Sequence, residues 1–165
     1  MHIIANREFL FKHPAHLIAF GFGAGLMSKA PGTWGTLVAI PLYYLALRLG
    51  GTPAALVLAL LFFVVGIWAA AVAGRNLGVA DHGGIVVDEI AAFILVLAFT
   101  PTGLIWLLVA FVLFRIFDIV KPWPISYFDR TLKGGFGVMF DDLLAALGAI
   151  ALLLILRSFV WEISL

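Results

Sequence analysis

The stretch IAAFILVLAFTPTGLIWLLVAFVLF, residues 90–114, runs for 25 residues without a charge, and its reading decides the fold. A helix needs roughly 20 apolar residues to cross a bilayer core, so the run is long enough for one span. Its middle, however, is Thr100, Pro101, Thr102 and Gly103, a cluster that marks a turn. The run is therefore either one kinked span or a hairpin of two short helices near residues 85–99 and 104–120. Charge placement chooses between them. With the hairpin, Arg7, Lys12, Lys29, Arg75, Arg115, Lys121, Arg130 and Lys133 share one face, and only Arg48 and Arg157 lie opposite. Eight against two is a positive-inside signal that puts the shared face in the cytoplasm. The single span would move four of the eight outside, so the hairpin is expected.

Working outward, the gaps between charges outline the other spans. Residues 30–47 are 18 uncharged positions containing Pro31 and Pro41, and residues 49–74 are 26 more, bounded by Arg48 and Arg75. Gly50, Gly51, Thr52 and Pro53 form the turn between them. The last run, residues 143–156, is 14 long and spans only if its helix begins near Gly137 and continues past Arg157. The expectation is an all-α, polytopic helical bundle of about five transmembrane helices in one domain covering residues 1–165. Residues 1–29 are an N-terminal segment and residues 30–160 the bundle. Within that segment, His13 to Ser28 is Gly-rich and is expected to lie in the interface or re-enter without crossing.

Composition agrees. Of 165 residues, 64% are hydrophobic and 12% charged, with a mean hydropathy of +1.18. Soluble domains carry about 25% charged residues, so this chain has too little polar surface to face water on all sides. A net charge of +1 argues against nucleic acid as a partner. The absence of cysteine excludes disulfides, thiolate metal sites and a cysteine nucleophile. Residues 1–20 lack the pattern of a cleaved signal peptide.

The acids are the main functional clue. Asp81, Asp88, Glu89, Asp118, Asp129, Asp141 and Asp142 fall on the cytoplasmic side of this topology, leaving only Glu8 and Glu162 near the termini. Asp88-Glu89 and Asp141-Asp142 are paired, and their surroundings echo each other: GIVVDEIAA from Gly84 and GVMFDDLLA from Gly137. An acid at a helix start is commonly just stabilised by the helix dipole. Two adjacent acids repeated in two helices fit that explanation less well, since neighbouring carboxylates repel unless a cation sits between them. Carboxylates with few histidines and no cysteine select a hard ion bound through oxygen, Mg²⁺ first among them.

Between the pairs stands FRIFDIVKPWPI, residues 114–125. Arg115, Asp118 and Lys121 are spaced by three around one side of a helix end. The cations are either a snorkelling girdle with Trp123 at headgroup level or an anion site suited to a phosphate monoester beside a carboxylate-held metal. Asp118 is their salt-bridge partner or a further metal ligand. Two glycine-rich stretches, PGTWGT from Pro31 (with Thr33) and GGFG from Gly134, read as loops before helices whose N–H groups could approach phosphate oxygens. Neither is a P-loop. His13 and His16 read as surface or interface residues, whereas His82, beside Asp81, is placed to donate a proton to a leaving group. No serine among Ser28, Ser126, Ser158 and Ser164 stands in a nucleophile elbow.

Four blocks, PGTWGT (31–36), DHGGIVVDE (81–89), FRIFDIVKPWPI (114–125) and GGFGVMFDD (134–142), occur in the order found in phosphatidylglycerophosphatase A, a bacterial inner-membrane lipid phosphatase family, which the chain resembles over nearly its whole length. Ala92 and Ala146 depart from the pattern, standing where glycine is commoner. The resemblance implies removal of the terminal phosphate of phosphatidylglycerophosphate, a phospholipid in the bilayer, with Mg²⁺ required. It also implies that Asp88, Glu89, Asp141 and Asp142 are the catalytic metal cluster with Asp118 supporting, and that Arg115 and Lys121 clamp the phosphate. The nucleophile is either water or one of the carboxylates. A small cation transporter is the rival from another class, since intramembrane acids also mark ion paths. It predicts acids spread through the membrane depth, and here they crowd one rim.

Overall fold

The computed structural model describes residues 5–79 and 81–163, with side chains described through Phe159. The reading of residues 1–4, of Ser164 and of the Glu162 side chain falls outside these. Every regular element among the described residues is helical: α1 (Arg7–Phe11), α2 (Pro14–Ala19), a 3₁₀ turn (Gly21–Leu26), α3 (Pro31–Leu77), α4 (Val87–Ala98), α5 (Leu104–Val120), α6 (Ile125–Thr131) and α7 (Gly134–Ile163).

α3 is 47 residues long and breaks at Gly50 and Gly51, where the backbone leaves the helical region and Gly51 takes φ +69. Only glycine enters that left-handed region without a steric cost. The break folds the helix back on itself. Gly35 and Gly66 would lie about 46 Å apart along a straight helix, yet Gly35 abuts Val86 and Gly66 abuts Val87. The turn expected at residues 50–53 is thus in place, with Pro53 just inside the second half. α5 has the bounds expected of it, and Gly103 at φ +121 opens it after the turn at Thr100–Thr102. α4 is shorter than expected, 12 residues or about 18 Å. α7 starts at Gly134 rather than near Gly137, because the glycine run is its first turn and not a loop.

Among the described residues, two helices are long and apolar enough to cross a membrane, Pro31–Leu77 and Gly134–Phe159. Small side chains are prominent at the helix contacts, beside buried Phe93, Phe114 and Leu153. α4 packs against α3 and α7 through small residues, among them Ala39, Ala59, Ala91, Ala92, Ala145, Ala146 and Ala149, all buried. Other large apolar side chains point outward, with Leu49 at 79% exposure and Ile105 at 76%. Small residues at helix contacts let backbones approach where lipid gives no hydrophobic drive between helices. An outward apolar face of this extent is one that lipid satisfies and water does not. Ala92 and Ala146, the two departures from the family pattern, are both buried in this core.

The N-terminal segment folds into helices of five, six and six residues, each far short of a crossing. It is pinned to the end of α3 by His16, which corrects the reading of that residue as a surface or interface histidine. His16 is 3% exposed, stacks on Phe9 with ring centroids 3.9 Å apart, and hydrogen-bonds the Phe9 carbonyl at 2.8 Å and Asn76 at 2.8 Å. A buried imidazole must satisfy both ring nitrogens, and here both are satisfied by protein. Val86 N–H donates to the Ala19 carbonyl at 2.8 Å, fixing the start of α4 against the same segment.

Candidate functional site

Five helices, α3 to α7, bring their polar groups to one end of the bundle. Asp88 and Glu89 stand in the first turn of α4, where the helix dipole favours a carboxylate. Asp141 and Asp142 are different. Because α7 begins at Gly134, they sit two turns inside it, beyond the reach of that effect. Helix-start stabilisation therefore accounts for neither of them.

Adjacent residues on a helix point about 100° apart, and the second pair divides accordingly. Asp142 turns toward α4, and one oxygen each from Asp88, Glu89 and Asp142 lie within 4.8 Å of one another. Asp141 turns toward α5 and α6, where its Oδ2 accepts a hydrogen bond from Lys121 Nζ. The trio is enclosed. Asp88 Oδ1, Glu89 Oε2 and Asp142 Oδ2 are buried and have no hydrogen-bond partner, and Asp141 Oδ1 shares that condition. Two unit negative charges this close repel by roughly 3–4 kcal/mol at an effective dielectric of about 20. Buried polar atoms are normally partnered, so Asp88, Glu89 and Asp142, each with an unpartnered oxygen, could hold a cation between them.

The two cations hold the acids in position. Arg115 is largely buried. Its Nη1 lies 2.6 Å from Asp118 Oδ2, 3.6 Å from Glu89 Oε1 and 3.4 Å from Thr36 Oγ1. It thus faces the acids rather than snorkelling outward. Lys121, at the left-handed end of α5, spans Asp129 Oδ1 at 2.6 Å and Asp141. Its hydrogen bond holds the Asp129 carboxyl below the usual carboxylate range. Burial would lower the Lys121 pKa, but the bonds from Asp129 and Asp141 outweigh it and raise the value. Trp123 is 82% exposed, as a headgroup-level residue would be.

Asp118, its side chain 12% exposed, shares the Arg115 guanidinium with Glu89 and so belongs to the same cluster. His82 accepts the Gly84 N–H on Nδ1 at 3.0 Å and packs near Phe20, so one of its nitrogens is engaged in shaping the turn before α4. Thr33 lies in the first turn of α3, whose helix starts at Pro31, so PGTWGT is not the loop expected of it. The residues of that block that reach the site are Gly32 and Thr36, which the sequence reading passed over. The Thr36 hydroxyl donates to the Gly32 carbonyl at 2.9 Å and receives Arg115, while a Cβ at Gly32 would fall 2.0 Å from Glu89 Oε1. Their i, i+4 spacing was the available signal.

The fold and site are those of an all-helical, membrane-associated enzyme that gathers buried carboxylates beside an arginine. The chain matches the family Phosphatidylglycerophosphatase A over residues 17–157, and it belongs to that family. It is 47% identical to Phosphatidylglycerophosphatase A of Haemophilus influenzae over 139 residues, covering 84% of this chain and 85% of that protein. The protein of the same name from Escherichia coli is 41% identical over 143 residues, 86% of this chain and 83% of its own. A Bacteroides thetaiotaomicron protein provisionally named as a phosphatidylinositol-3-phosphatase is 42% identical over 150 residues, 86% of this chain and 92% of its own. No solved structure matches the chain.

Proposed function

We propose that this chain hydrolyses the terminal phosphate monoester of phosphatidylglycerophosphate, leaving phosphatidylglycerol and inorganic phosphate, at a divalent-metal site facing the cytoplasm of a bacterial inner membrane. The observation that carries the metal site is the trio of buried carboxylates with unpartnered oxygens, and the family carries the substrate. Asp88, Glu89 and Asp142 would hold the ion. Three anionic oxygen donors without sulfur or imidazole suit Mg²⁺. Such an ion supplies charge neutralisation at the phosphate and activation of the attacking group.

The chain's own residues do the rest. Arg115, already in reach of Glu89 and Asp118, can turn donors toward a phosphate oxygen, its Nε being buried without a partner. Lys121 holds Asp141 in place beside the trio and offers a second cation to the same oxygens. Asp141, with one free buried oxygen, is the group best placed to accept a proton from the attacking water. The position at the end of an apolar bundle has a plain consequence: the headgroup reaches the acids while the acyl chains remain in lipid. The transporter alternative has no observation in its favour, since among the described residues the metal-type cluster is gathered at one end.

Purified protein in detergent is expected to release phosphate from phosphatidylglycerophosphate with Mg²⁺ and to stop in EDTA, with recovery on adding Mg²⁺ back. Full release in EDTA would sink the metal mechanism. For topology we infer five crossings: both halves of α3, α4 and α5 as a hairpin, and α7, with the N-terminus inside. A reporter fused after Arg157 should then be active only outside the cytoplasm, and a cytoplasmic signal would count against five spans.

A further inference from the structure

We propose that the substrate seats one acyl chain in an apolar groove between the second half of α3, α4 and α7, whose walls continue the helix faces that carry the acids. This rests on the lipid-phosphatase reading and adds a chain-binding subsite to it. The groove holds about 220 Å³ and is lined by Ala59, Phe63, Ala92, Leu95, Met139 and Leu143 among others. Helical spacing ties it to the acids. On α4, Ala91, Ala92 and Leu95 follow Asp88 at three, four and seven residues, so they continue the face that carries the carboxylate. On α7, Met139 and Leu143 bracket Asp142 one turn apart. Leu95 lies about 10 Å along the axis from Asp88, so the groove leads from the reacting end toward the bilayer interior. Its floor is methyl groups of Ala59, Ala91 and Ala92, and Leu56 and Leu60 stand exposed at its lipid-facing rim.

That geometry fits an extended hydrocarbon. A phosphate held at the trio leaves the lipid's glycerol backbone near the first turn of α4, and a chain leaving it must run along one helix face or disperse in bilayer lipid. The groove shares walls with the two helices that supply the acids. It would recognise chain length and straightness and be indifferent to the headgroup alcohol, which also fits a 42%-identical relative being named for an inositol lipid.

The test compares kcat/KM for dioleoyl and dihexanoyl phosphatidylglycerophosphate in mixed micelles. Ala59→Phe fills the groove, and the long-to-short ratio is expected to fall about tenfold, as each displaced methylene is worth about fourfold. Leu95→Ala deepens the groove and should move the ratio the other way for longer chains. If Ala59→Phe does not fold, Ala92→Leu carries the same test. A diacyl phosphonate analogue with a mid-chain diazirine should label α4 or α7 in wild type, be competed by unlabelled analogue, and lose that labelling in the filled variant. A ratio unchanged in a folded filled variant, or labelling that is not competed, overturns the groove and leaves ordinary bilayer lipid there. Wild-type protein that releases phosphate from neither lipid defeats the functional reading itself, a result distinct from either of those.

Discussion

Asp142→Asn is expected to lower phosphate release from phosphatidylglycerophosphate by about 10³-fold while leaving the protein folded. Asparagine keeps the shape of the side chain, removes one of three negative charges and points amide hydrogens at Asp88 or Glu89, which lie within 4.8 Å. Loss of a single electrostatic contact at a reacting centre typically costs 10²–10³-fold, and loss of a metal ligand costs at least that much. Stability moves the other way. Without metal, three buried carboxylates repel, and removing one charge relieves the repulsion, so the variant's Tm in EDTA should rise. The Tm gain that wild type shows on adding Mg²⁺ should shrink in parallel. Asp141→Asn offers the contrast. It weakens the pairing with Lys121 and removes the proposed proton acceptor, so it should lower Tm and cut turnover by about 10²-fold. Equal losses of activity and equal Tm shifts for the two variants would show that the aspartates act as one cluster. Near-wild-type turnover by Asp142→Asn would remove the trio from the mechanism.

Much of this was legible in the chain before any coordinates. Charge gaps and turn residues located the break at Gly50–Gly51 and the bounds of α5, because a span with a charge or a Gly-Pro turn in it has no other cheap arrangement. The acids on one rim and the FRIFDIVK segment beside them were equally readable, because so few charges are available to confuse the pattern. What could not be read was which neighbour each side chain meets. Asp141 and Asp142 are indistinguishable in sequence, and only the 100° step between them, set against α4 on one side and Lys121 on the other, assigns them different surroundings. His16 looked superficial because its partners, Phe9 and Asn76, are joined only by folding, Asn76 lying 60 residues away. The glycine runs misled for the same reason. Glycine is a poor helix former taken alone, so GGFG read as a loop. In the fold it opens α7, since a Cβ at Gly135 would fall 2.0 Å from the Ile67 carbonyl oxygen and drive α7 off α3.

Gly32→Ala is the second variant with a large expected effect, although it adds a single methyl in a helix, where alanine is ordinarily the better residue. The added Cβ would sit 2.0 Å from Glu89 Oε1, 3.0 Å from its carboxyl carbon and 3.1 Å from Arg115 Nη1. Gly32 is buried on the first turn of α3, so the methyl cannot swing toward solvent. Glu89 must give way, carrying its oxygen out of the trio and loosening its contact with Arg115. A displacement of about 1 Å at a reacting centre costs on the order of 10²-fold in rate, and that is the loss expected in kcat. Far-UV circular dichroism should be unchanged, because the helix itself tolerates alanine. The paired variant Gly32→Ala with Glu89→Asp supplies the discriminating result. Shortening the acid by one methylene withdraws its oxygens from the new methyl, so the pair should recover part of the activity that each single change loses. Additive losses in the pair would place the damage elsewhere, in the Thr36 hydroxyl bond to the Gly32 carbonyl and the Arg115 contact that depends on it.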